Sequence, residues 1–398
     1  MTQATPPFNA RLAPFGESIF STMSRLAVEH NAVNLGQGFP DFEPPAFVQD
    51  AATRAVSGGF SQYSRAFGLP KTTHAIARYA EQSIGFAADP DTEVTVTAGC
   101  TEAIAAVLLG ILNAGDEVVI LDPSYDSYAA CIAMAGGVAR RVRLEGPAFR
   151  ITHELLRGAF SSKTRAIIFN SPHNPTGRMF DEGECAVVAG LAREFDCLVL
   201  SDEVYDEITF ARPHTSIARL AGMRERTVIL GSLGKTFSCT GWKIGWAIAP
   251  AGITRAIRCA HQFLTFCAPT PFQKAAADAL DSVCTDRSYL HELRRDYTTR
   301  RARMLGILTG IGFECVPPEG SYFILANAQA AGWPDDVTAA KVLVKAGVAT
   351  IPASAFFDPA NPDRRWLRFA FCKQEATMAL AQQRLNALPL HEFAKLTN

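Results

Sequence analysis

The chain has 398 residues, of which 48% are hydrophobic, and a formal net charge of −1. That length allows two domains of ordinary size, and the apolar content excludes wholesale disorder. The near-neutral charge leaves no strong basic field for nucleic acid or an acidic membrane surface. No basic stretch followed by an apolar core opens the sequence, and the apolar run 103–112 is too short to span a bilayer. The ten cysteines contain no CxxC pair. With the missing export signal, they read as reduced thiols of a cytoplasmic protein. The eight histidines include no HExxH, and His173 has no ligand partner near it in sequence, so no metal is expected. Gly36-Gln37-Gly38 does not join a strand to a helix, which argues against a dinucleotide fold there.

In chain order, residues 1–45 are irregular and proline-containing, with one helical piece over 18–30. Beyond residue 45, short apolar runs alternate with amphipathic stretches. Strands are predicted at 93–97, 117–121, 166–170, 197–201, 228–231 and 244–248, with helices at 101–112 and 182–195. This alternation predicts an α/β domain with a mostly parallel sheet. A long helical region over 271–311 leads into a smaller α+β unit. That unit is closed by runs 348–351 and 366–371 and a final helix, and the N-terminal segment is expected to pack on it.

Ligands of open α/β sheets collect at the carboxyl ends of the strands, and the residues there carry chemistry. Gly99 permits a tight turn, so Cys100 and Thr101 open a helix whose N–H groups suit an anion; Thr101 also fits an ordinary cap. Tyr125 offers a flat ring for stacking on a heterocycle, or is a rim tyrosine. The stiff loop 170–177 holds two amides, Asn170 and Asn174, although turn asparagines often serve their own backbone. Asp202 follows an apolar run, where a carboxylate needs a partner. A protonated pyridine nitrogen is one, and a helix cap is the other reading. Tyr205, three residues on, could reach a phenolic oxygen of the same ring. Arg368 interrupts an alternating apolar strand, which suits a bound carboxylate or a structural ion pair, whereas Arg364 and Arg365 read as solvated.

The stretch 232–243 is the most informative. A buried strand delivers Lys235 among small residues, and a second lysine, Lys243, follows eight positions later. A lysine held in a dry pocket loses part of its preference for the charged form and can form a Schiff base. Lys243 and the hydroxyls of Ser232 and Ser238 suit a phosphate. The set describes an anchor for pyridoxal phosphate; Lys235 taken alone also reads as a surface lysine on a loop.

Order and spacing of these motifs resemble the fold-type I, class I pyridoxal-phosphate-dependent aminotransferases over nearly the whole chain. The segments that carry the likeness are Asn34 to Phe42, Gln62 to Gly68, Ser171 to Gly177, Ser201 to Tyr205 and Gly234 to Trp246. They look most like the kynurenine aminotransferase (glutamine transaminase K) branch and bacterial methionine/aromatic aminotransferases. N-succinyldiaminopimelate aminotransferase is the runner-up, similar at 101–106 and 125–128. The resemblance implies a mostly parallel seven-stranded sheet in a large domain, 46–285, and a smaller α+β domain, 286–398, with segment 1–45 packing on the latter.

It also implies roles. Lys235 holds the cofactor and shuttles a proton. Asp202 pairs with the pyridine nitrogen, and Tyr205 and Asn174 bond the phenolic oxygen. Tyr125 stacks on the ring. Gly99, Cys100, Thr101, Ser232 and Lys243 hold the phosphate. Arg368 clamps the substrate carboxylate, helped by Asn174 and the backbone of Gly38, while Phe20 lines the side-chain pocket. Tyr63 and Phe266 come from a second subunit, so a homodimer with shared active sites is implied. Three positions depart from the kynurenine enzymes: Thr101 replaces a tyrosine, Cys267 a histidine and Tyr125 a phenylalanine.

The expected activity is ping-pong transfer of an amino group between a bulky uncharged amino acid (aromatic, methionine, glutamine or kynurenine) and a 2-oxo acid. A cysteine-S-conjugate β-lyase would use the same residues but release pyruvate without an added oxo acid. A non-catalytic regulator would carry a DNA-binding module ahead of the fold; the roughly 45 residues there show no helix-turn-helix pattern.

Overall fold

The computed structural model describes residues 9–387, so the outer ends of the expected N-terminal segment and small domain lie outside the described residues. Its centre is a seven-stranded sheet in the order Val94–Thr97, Gly245–Ile248, Thr227–Ser232, Leu198–Asp202, Thr164–Asn170, Glu117–Asp122 and Val138–Arg143. Only Gly245–Ile248 runs antiparallel to its neighbours; the other pairings are parallel. The central strands are apolar on both faces, as a sheet covered on both sides requires. Val119, Ile167, Val199 and Ile229 pack into one cluster, and Ile120, Ile168, Leu200 and Val228 into another. Helix Glu182–Glu194 starts where Asp181 and Glu184 form a reciprocal capping box. Helix Cys100–Ile111 lies so close to helix Ala251–Leu264 that a Cβ on Gly110 would meet the Ala256 carbonyl at 2.6 Å.

A smaller antiparallel sheet has the order Ile351–Pro352, Trp366–Ala370, Phe323–Asn327 and Glu314–Val316. Val33–Asn34 pairs in parallel with Val348–Ala349, tying the segment before the large sheet to the C-terminal part of the chain.

Several expectations from sequence shift here. The long helical region is two helices, Thr270–Thr285 and Ser288–Gly310, separated where Asp286 turns to an extended conformation. The run at 348–351 splits into two short strands in different sheets. Strand Val138–Arg143 escaped the apolar pattern because three of its residues are arginines; it is the sheet's edge, where charge is tolerated. Arg141 there is drawn inward by Asp122, at 2.8 and 2.9 Å. Arg365 is not free in solvent but paired with Asp363 at 2.5 Å.

Candidate active site

The large sheet's register sets Asn170 beside Asp202, Asp202 beside Leu230, and Ser232 beside Gly245. Polar residues at these strand ends therefore share one edge and line a cavity of about 250 Å³. It gathers Gly99, Cys100, Thr101, Tyr125, Asn174, Asp202, Tyr205, Ser232, Lys235 and Lys243 with Phe20, Gly38 and Arg368. Three predicted residues lie elsewhere. Tyr63 and Phe266 are 82% and 50% exposed and meet each other edge-on at 5.1 Å. Ser238 does not line the cavity; it adjoins Tyr297, because the chain turns through a left-handed conformation at Ser238.

At one end, helix Cys100–Ile111 begins at Gly99 with φ 82° and no side-chain cap. A Cβ on Gly99 would sit 3.0 Å from Lys243 Nζ, so only glycine lets the ammonium lie against the helix start. The uncapped N–H groups, the ammonium and nearby Ser232 together suit a phosphate.

In the middle, Lys235 Nζ lies 5.6 Å from the Tyr205 ring centre and 5.7 Å from that of Tyr322. Burial holds its ammonium below the ordinary lysine value. Asp202 is buried, and burial raises its carboxyl. Its Oδ2 accepts from the Tyr128 hydroxyl at 2.5 Å. Among the described residues no cation lies within ion-pair distance of Asp202. Asn170, by contrast, serves the backbone: it donates to the Asp202 carbonyl and accepts from Asn174 N–H, both at 2.8 Å. Burial pushes the Tyr125 hydroxyl up to about 12.

At the far end, Arg368 is 1% exposed. Its Nη1 donates to Asn174 Oδ1 at 2.9 Å and its Nη2 to the Gly36 carbonyl at 2.7 Å. Gly36 is thus the backbone partner of Arg368 itself, while the carbonyl of Gly38, also in the cavity wall, accepts from the Tyr322 hydroxyl at 2.5 Å. Rings of Phe323, Phe356 and Phe20 surround the guanidinium at 4.1, 4.8 and 5.1 Å. Burial pulls it down to about 10, and no carboxylate among the described residues pairs with it. Among the described residues Arg368 therefore makes no structural ion pair, and its buried Nε lacks a partner there.

Sequence reasoning missed Tyr128, Gly36, Gln37 and Phe323. Tyr128 had a signal, since it stands three positions after Tyr125. The others contribute backbone or depend on distant neighbours.

Three cations, Lys235, Lys243 and Arg368, thus face one carboxylate, Asp202, in this cavity. That surplus fits a phosphate and a carboxylate, and the unpaired Asp202 fits a protonated ring nitrogen. A strand-end lysine, an anion-binding helix start and a buried acid at the edge of this sheet define a pyridoxal-phosphate enzyme of fold type I.

Comparison places the chain more narrowly: it belongs to the family Aminotransferase class I and II, whose model matches residues 30–385. A probable N-succinyldiaminopimelate aminotransferase, DapC, of Mycobacterium tuberculosis is 41% identical, covering 95% of this chain and 98% of its own. Methionine aminotransferase of Escherichia coli is 38% identical, with 95% and 98% covered. Human kynurenine–oxoglutarate transaminase 1 is 35% identical, with 91% and 93% covered. The solved structure of the M. tuberculosis N-succinyldiaminopimelate aminotransferase superposes with a TM-score of 0.92 at 42% identity, covering 95% of this chain and 99% of that one. The protein is an aminotransferase that uses pyridoxal phosphate. Among the described residues no helix is long and apolar enough to cross a membrane, and no cluster of metal ligands is present.

Proposed function

We propose that this aminotransferase takes a large uncharged amino donor (aromatic, methionine, glutamine or kynurenine) and passes its amino group to a 2-oxo acid. Bound pyridoxal phosphate supplies an electrophilic carbonyl for the amine and a protonated ring that draws electrons from the substrate Cα. Lys235 Nζ, whose ammonium burial disfavours, would accept the Cα proton and return it. Asp202 would keep the ring nitrogen protonated, with Tyr128 orienting the carboxylate. Tyr125 would stack on the ring, and Tyr205 and Asn174 would hold its phenolic oxygen. Lys243, Ser232 and the Gly99–Thr101 turn would hold the phosphate. Arg368 takes the substrate carboxylate in a water-poor, ring-lined end.

The observation that carries the donor class is the cavity's inventory of cations. With the two lysines assigned to the cofactor, Arg368 is the only remaining cation among the described residues that line the cavity, and Phe20, Tyr125 and Phe323 supply aromatic wall. A distal carboxylate would be buried without a partner, which is costly. Apolar side chains gain about 25 cal/mol per Å² buried. A second reading, N-succinyldiaminopimelate as donor, is favoured by the 41% identical relative. The exposed Tyr63–Phe266 pair, with Phe263 three positions before Phe266 also 84% exposed, supports a homodimer that completes each site from the partner. The ten free cysteines support work in a reducing cytoplasm.

Comparing kcat/KM for phenylalanine, methionine, glutamine, kynurenine, aspartate and N-succinyldiaminopimelate under one acceptor tests the donor class. The four uncharged donors should lead. A clear lead for N-succinyldiaminopimelate would establish the second reading instead.

A further inference from the structure

Gln37 lines the same cavity as Arg368 and Phe20. Its backbone N–H is held by Asn34 Oδ1 at 3.0 Å, and the preceding residue, Gly36, accepts from Arg368. The residue is therefore anchored to the carboxylate-binding end. Its side-chain amide reaches the other way, into helix Ile19–Glu29. Nε2 donates to the Phe20 carbonyl at 3.1 Å and to Ser24 Oγ at 2.6 Å. An amide nitrogen has two hydrogens, so both are used inside the protein. The orientation is also determined: a flipped amide would set Oε1 against the Phe20 carbonyl, acceptor facing acceptor. What remains is Oε1, which bonds to no described residue. Gln37 thus lines the cavity with both amide hydrogens spent and one acceptor left unfilled.

We propose that Gln37 is a specificity-determining residue whose Oε1 accepts a hydrogen bond from an N–H on the donor's side chain. This rests on the reading above, with the carboxylate on Arg368 and the side chain running along Phe20. The chemical class selected is an uncharged side chain bearing an amide, aniline or indole N–H. A side-chain carboxylate, itself only an acceptor, meets Oε1 repulsively. Selection here is partly exclusion, and it adds to the lack of a second cation. Fastening Phe20 through the same amide keeps the aromatic wall and the acceptor in fixed relation.

The test uses two donors of similar size, one whose side chain carries an amide N–H and one whose side chain carries none: glutamine against methionine. In Gln37→Met the glutamine-to-methionine ratio of kcat/KM should fall about three- to tenfold, the worth of one hydrogen bond. Loosening of the helix lowers both donors together and leaves the ratio alone. Ser24→Ala, which loosens the amide but keeps Oε1, should leave the ratio within about twofold. Calorimetry on the holoenzyme gives a readout without turnover: glutaramate, the deaminated glutamine, should lose affinity in Gln37→Met, while 4-(methylthio)butanoate should not. An unchanged ratio in Gln37→Met, or an equal shift in Ser24→Ala, overturns the role of Gln37 while the donor class stands. If the wild-type enzyme uses neither amino acid and prefers an acidic donor, both readings fail together.

Discussion

The Tyr128 hydroxyl donates to Asp202 Oδ2 at 2.5 Å, linking the helix after one strand to the end of another. Burial drives the Asp202 carboxyl up, and this bond with the Val204 N–H acts against it. Tyr128→Phe should raise the proton affinity of Asp202 and cost about tenfold or more in kcat, the range for a hydrogen bond to a charged group. The pH titration of the holoenzyme's visible absorbance should shift with it. Asp202→Asn removes the charge itself and should cost roughly a thousandfold. Near-normal rates in Asp202→Asn would move the role to another residue.

Lys235 is the cavity lysine near the rings of Tyr205 and Tyr322, whereas Lys243 lies against Gly99. Borohydride reduction of the holoenzyme followed by peptide mapping should find the pyridoxyl group on Lys235. Lys235→Ala should lose turnover while keeping the fold by circular dichroism. Label on Lys243 would reverse the two assignments.

Arg368 has no acidic partner in the described chain, so a substrate carboxylate would be its first. Arg368→Ala should lower kcat/KM for all donors together by about 2–5 kcal/mol, the cost of leaving a buried charge unpaired. Loss confined to one type of side chain would place Arg368 in the side-chain pocket.

Asp206 lies one residue beyond Tyr205 and accepts from the Tyr79 hydroxyl at 2.7 Å. Burial, then the charge of Glu207, pushes its carboxyl up to about 7. Unfolded, an aspartate titrates near 4. Between these values the folded chain holds a proton that the unfolded chain has lost, so stability falls as pH rises through about 7. Asp206→Asn should therefore raise Tm relative to wild type at about pH 8.5 and raise it by much less at about pH 5. Thermal melts at both values check this, and an equal change at both would refute the assignment.

The amino-acid order by itself determined where a polar group ends an apolar run. Lys235, Asp202, Tyr205 and Asn174 were visible for that reason, as was the alternation that makes the parallel sheet. Local pattern suffices there because a strand's burial is written in its own side chains. It failed for Val138–Arg143, whose arginines become tolerable only at an edge and beside Asp122. It also failed wherever a buried polar group finds its partner across the fold. Arg368 meets Asn174 over a separation of 194 residues and Gly36 over 332. Tyr128 meets Asp202 over 74. Gln37 is left with an acceptor and no free donor only because Phe20 and Ser24 consume its amide hydrogens. A buried hydrogen-bonding group must be satisfied, but which neighbour satisfies it is decided by packing between distant segments, and so by the tertiary structure alone.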